Sequence, residues 1–141
     1  MMDETFIKMC RKAVEIQKQW KQNIYDIFGW AGGDGNYHFI RVTPTVLDNF
    51  TMDPDLTSYF WIPRQDDLQL IYKELKELSF DCCYKQFKKW DAFRYQQEEF
   101  EHGRYSFNIF ETGDWNVLWL CFVMETCYNK QWNGETWGDL V

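Results

Sequence analysis

The chain has 141 residues, with 22 acids against 15 bases and a formal net charge of −7. At this length one domain spanning residues 1–141 is expected, burying roughly 70% of the surface its unfolded form exposes. An aromatic content of 20%, with eight Trp and twelve Phe, argues against a disordered chain although the mean hydropathy is negative.

The charge is unevenly placed. Residues 1–94 hold fourteen acids and thirteen bases, whereas residues 95–141 hold eight acids and only Arg104 and Lys130. An acidic last third disfavours direct binding to nucleic acid, whose affinity comes from Lys and Arg displacing counterions. It leaves open a basic protein partner, including one that itself binds nucleic acid. The chain starts Met1-Met2-Asp3-Glu4, without the basic start and apolar run of a signal peptide. Five cysteines, Cys10, Cys82, Cys83, Cys121 and Cys127, are odd in number. Together these lead us to expect reduced thiols and a cytoplasmic location.

Phe6, Met9, Ala13, Ile16 and Trp20 recur at helical spacing, predicting an amphipathic helix from about Glu4 to Lys21 with Lys8, Arg11, Lys12 and Lys18 outward. Ile24–Trp30 and Tyr37–Val42 are rich in aromatic and β-branched residues and flank Gly32-Gly33-Asp34-Gly35-Asn36, a hairpin pattern. No Gly-Lys-Ser/Thr follows, so a phosphate-cradling loop is the weaker reading. Residues 43–57 read as loop. Asp53 and Asp55 resemble the start of a calcium loop, but Ser58 and Arg64 stand where Gly and Glu are required. A short strand over residues 58–62 is stopped by Pro63.

Leu68, Ile71, Leu75 and Leu78 predict a second helix, with Pro63 at its start and Asp66 and Asp67 at its positive end. Phe80, Cys83, Phe87 and Trp90 predict a third, extending to Glu101 and carrying the acidic cluster Glu98, Glu99 and Glu101. Alternation over Arg104–Phe110 predicts a strand. From Trp115 to Tyr128 only Asn116, Glu125 and Thr126 are strongly polar, so a helix there is apolar on nearly every face and belongs inside. Its fourteen residues are too few to span a bilayer, which excludes a membrane anchor of this segment. The chain closes on a turn, Asn133–Trp137, pinned by Trp132 and Trp137. The expected fold is α+β: a small, mostly antiparallel sheet with helices on both faces, a three-layer sandwich built on the buried C-terminal helix.

No catalytic set, metal-ligand spacing or cofactor motif stands out. His38 and His102 read as structural or solvated, and Cys121 as buried and inert. Of Cys82 and Cys83, one is expected to pack and the other to face solvent. The best polar constellation is Arg64, Asp66 and Asp67 with Glu135; Arg64 could fork onto a carboxylate or phosphate, giving a small-ligand or nucleotide site centred on Arg64, Asp66 and Glu135. The competing reading is favoured: Asp66 and Asp67 cap the helix, and Arg64 ties the loop at Glu135 to it. Trp30, Trp132 and Trp137 sit beside glycines in turns, where a Trp either plugs the core edge or makes a partner-binding hot spot together with Glu98, Glu99 and Glu101.

Two stretches carry a resemblance. Phe60-Trp61-Ile62-Pro63-Arg64-Gln65-Asp66-Asp67-Leu68-Gln69, then Leu118-Trp119-Leu120-Cys121-Phe122-Val123-Met124 closing on Trp132-Asn133-Gly134-Glu135, are similar to segments of small phage and prophage proteins related to the phage ABA sandwich domain. Ile62, Asp67 and Cys121 depart mildly from that pattern, and residues 80–101 have no counterpart in it. The resemblance implies phage ancestry and a three-layer fold and brings no catalytic residues. The expected function is an accessory protein that binds a host or defence protein inside the bacterial cell through an acidic, aromatic-rich surface. A ligand-binding protein and a phage structural component or homo-oligomer are the alternatives.

Overall fold

The computed structural model describes residues 4–21, 26–43, 59–101 and 115–139, with only the backbone of residues 93–101. The expectations for the loop after Thr43, the Asp53 and Asp55 pair, the Arg104–Phe110 strand and His102 fall outside these residues. The fold is α+β. Internal contacts sort the chain into two compact units, Met1–Pro63 and Arg64–Val141.

In the first unit, helix α1 (Glu4–Lys12) buries Phe6, Ile7, Met9 and Cys10, the face its spacing predicts plus a neighbouring row. The continuous helix expected to Lys21 breaks at Ala13, whose ψ of 73° leaves helical space before the single turn α2 (Val14–Gln17). The break has a cause. The Cys10 carbonyl accepts the Ala13 N–H at 3.2 Å and the Gln17 Nε2 at 2.9 Å, so its helical bond to residue 14 is replaced by a side-chain bond.

Strands β1 (Ile27–Ala31), β2 (Tyr37–Arg41) and β3 (Phe60–Ile62) form an antiparallel sheet in the order β2-β1-β3. The hairpin predicted around Gly32–Asn36 is β1–β2, with Trp30 opposite His38 and Gly29 opposite Phe39. Gly29 is required by packing: a Cβ there would come within 2.8 Å of the Phe60 ring. On β3, Phe28 of β1 stands opposite Trp61. The Trp61 backbone faces away from β1 and is satisfied by one side chain: its N–H donates to Gln17 Oε1 at 2.6 Å, and its carbonyl accepts from Gln17 Nε2 at 2.7 Å. Gln17, 2% exposed, therefore closes one edge of the sheet.

In the second unit, helix α3 (Gln65–Lys76) starts where Pro63 and the two aspartates predict, and Glu77, at a φ of 54°, ends it. Its buried stripe is Leu68, Ile71 and Tyr72. Leu75, expected in that stripe, is 42% exposed, because Tyr72 takes the inward position one residue after Ile71. Helix α4 (Phe80–Glu101) has the predicted bounds and opens on Ser79, whose Oγ accepts the Cys82 N–H. Cys83, Phe87 and Trp90 are buried along it as predicted, while Phe80, at the exposed first position, is not. Helix α5 (Trp115–Tyr128) is the buried rod the composition demanded, with every residue from Val117 to Glu125 inside. An unpredicted hairpin follows, β4 (Lys130–Trp132) with β5 (Trp137–Asp139), so the described strands form two sheets rather than one. Each strand has only three residues, too few for alternation to register, so the segment reads as a bare turn in the sequence.

Candidate functional site

The residues singled out from sequence lie on several different elements. Arg64 caps α3: its N–H donates to Asp67 Oδ2 at 2.8 Å, and its Nε lies 3.4 Å from the same carboxylate and 4.0 Å from Asp66. The aspartates thus occupy the positive helix end and hold the guanidinium locally, the arrangement of a cap. Glu135 lies in the β4–β5 turn, where its own N–H and that of Thr136 donate to Asn133 Oδ1.

Trp132 and Trp137 are core residues. They are 1% and 8% exposed and pack on each other at 5.3 Å across the hairpin, so their rings close the interior instead of presenting a binding surface. The expectation of a hot spot at these two positions is corrected: pairing β4 with β5 turns both rings to the same side, against the apolar surroundings of α5. Glu98, Glu99 and Glu101 fall in the last turns of α4, and their side chains lie outside the description.

Trp30 is half-buried at the hairpin end, stacked on His38 at 5.5 Å and beside Tyr59 at 5.6 Å. His38 Nε2 lies 3.2 Å from Asp34 Oδ1, which also accepts the Asn36 N–H at 3.0 Å. The Asn36 backbone bond, then the His38 contact, hold the Asp34 carboxyl below the usual carboxylate range. Gly32 makes room for this turn, since a Cβ there would meet the His38 ring at 2.5 Å. The cluster rigidifies a turn. Among the described residues, no group of three or more His, Cys, Asp or Glu could hold a metal ion.

The thiols divide as expected. Cys83 is buried and Cys82 exposed, Cys10 and Cys121 are buried, and Cys127 is partly covered. Burial is the main influence raising the Cys83 and Cys127 thiols, which disfavours the thiolate needed for nucleophilic work.

The aromatics that do reach the surface of the second unit are others. Phe80 is 55% exposed, Tyr84 51% and Trp115 44%. Phe80 and Tyr84 stand one turn apart on α4. Trp115 opens α5 with its ring 5.6 Å from that of Phe87, three residues beyond Tyr84. Sequence periodicity hid them: Phe80 continues the buried spacing backward, and Trp115 belongs to an apolar run whose other members are inside. Lys73 lies over the Phe80 ring at 5.2 Å. No described helix is long and apolar enough to cross a membrane. Compared with family models, curated proteins and solved structures, the chain matches none.

Proposed function

We propose that the protein is a binding protein, a phage-type accessory factor that engages a host or defence protein, and that the contact is centred on the exposed aromatics of the second unit. The observation that carries this reading is the exposure of Phe80, Tyr84 and Trp115 in the unit that also holds the acidic last third of the chain. Large aromatic side chains left at a surface are the usual anchors of interfaces, and the excess of acids in the same unit favours a basic partner and speeds its approach. The resemblance to phage and prophage proteins supplies the setting, a bacterial cytoplasm.

The test is capture from bacterial lysate followed by mass spectrometry, with wild-type chain, a Phe80→Ser/Tyr84→Ser pair, and a Glu98→Lys/Glu99→Lys/Glu101→Lys triple. The expected outcome is one basic protein recovered by wild type and reduced about tenfold or more by either variant, a change worth about 1.4 kcal/mol of binding. Equal recovery by all three chains would refute the proposed surface.

A further inference from the structure

The two edges of the first unit's sheet are treated differently. The β3 edge is closed by Gln17. Among the described residues, the β2 edge is open. Val42 N–H donates to the Asp26 carbonyl at 2.7 Å and Gly32 N–H to the Asn36 carbonyl at 2.8 Å, which fixes the even-numbered pairs of β1–β2 as the hydrogen-bonded ones. Tyr37, Phe39 and Arg41 therefore turn their backbone N–H and C=O groups away from β1, and among the described residues nothing meets them. Phe39 is 41% exposed on this edge, and Arg41 is exposed beside it.

We infer that this edge pairs with the β2 edge of a second copy of the chain, antiparallel about a two-fold axis through Phe39. Three observations select that occupant. The outward backbone groups fall on alternate residues symmetric about Phe39, so two copies exchange N–H···O=C bonds at Phe39 with Phe39 and at Tyr37 with Arg41. That register is chemically self-complementary: each Arg41 lies opposite a tyrosine ring, the half-exposed phenylalanines face each other, and no two like charges are opposed. Sliding the strands to bring Arg41 opposite its own copy would lose that match. Charge also permits it, since Met1–Pro63 holds eight acids and six bases while Arg64–Val141 holds fourteen and nine, so most of the negative charge lies in the other unit. The joined sheet has strand order β3-β1-β2-β2-β1-β3 and ends at each side on a Gln17-capped edge, a closed isologous assembly.

Light scattering on the full chain should give twice 17.3 kDa, falling toward 17.3 kDa on dilution. Phe39→Pro removes an outward N–H and takes no bond from β1, so it should leave the circular dichroism unchanged and yield monomer. A second measurement does not rely on that variant folding. Residues paired through hydrogen bonds across antiparallel strands have Cα atoms about 5.5 Å apart, within disulfide range. In a Cys82→Ser background, Phe39→Cys should therefore cross-link into a covalent dimer under mild oxidation, and Ile40→Cys should not. A monomer at every concentration with no cross-link at position 39, or equal cross-linking at 39 and 40, would overturn the proposal, including the case in which the edge takes a strand from a different protein.

Discussion

Gln17 carries three jobs with one amide. It occupies the Cys10 carbonyl that would have continued α1, and it bonds both the N–H and the carbonyl of Trp61 on the outer side of β3. Because the site is closed to water, removing the amide leaves the Trp61 N–H and carbonyl without the partner they have, and each buried unsatisfied group costs about 1–3 kcal/mol. Gln17→Leu, which keeps the volume and loses the polar atoms, is expected to lower stability by about 3 kcal/mol, read as a lower urea midpoint at unchanged slope. Tyr72 offers a second residue-scale prediction. Its hydroxyl donates to Gln86, and burial, aided by the nearby Cys127 and Cys83 thiols, pushes it up to about 12 from an ordinary 10.0. Between those values the unfolded chain releases this proton while the folded chain keeps it. The corresponding stability is full below pH 10.0 and is lost as pH rises to about 12. Tyr72→Phe should flatten the fall in stability across that window, measured by urea unfolding at stepped alkaline pH.

At the scale of elements, α5 is held by aromatic packing. Phe122 lies 4.5 Å from Tyr72, 5.3 Å from Phe87, 5.4 Å from Trp90 and 5.3 Å from Trp119, ring centre to ring centre, and Phe87 stacks flat on Trp119 at 4.3 Å. Phe122→Ala empties a site bounded by two other helices and is expected to cost about 3–5 kcal/mol. Trp115→Ala, on the same helix but 44% exposed, should cost well under half of that while weakening partner capture. Thermal unfolding of the pair separates packing from binding. The one carboxylate on this buried rod, Glu125, receives the Trp90 indole N–H at 3.0 Å, which explains how an acid is tolerated there. Helix phase placed most buried positions correctly from the sequence, and its errors fall at ends. Phe80 and Leu75 keep the spacing but lie where α4 begins and α3 finishes, and both stay exposed.

For the whole molecule, charge is the property that bears on partners. Capture through acids concentrated in residues 95–141 should be sensitive to salt: raising ionic strength from about 0.01 M to about 1 M shortens the screening length from about 30 Å to about 3 Å. Recovery of a basic partner is expected to fall several-fold over that range, whereas the β2–β2 contact, built on backbone bonds and aromatic rings, should change little. Light scattering and capture at matched salt concentrations compare the two directly.

The sequence by itself determined the α+β class, the bounds of α4 and α5, the β1–β2 hairpin and the burial of α5. Each follows from local periodicity, turn chemistry or an apolar run that has nowhere else to go. Tertiary structure alone decided that Gln17 would break α1 to satisfy a strand forty-four residues away, that Arg64 would be held by its own helix, and that Trp132 and Trp137 would face inward while Phe80, Tyr84 and Trp115 face outward. Trp and Phe are equally apolar wherever they stand in the chain; whether a ring is covered depends on which neighbour the fold brings over it, and spacing along one element carries no record of that neighbour.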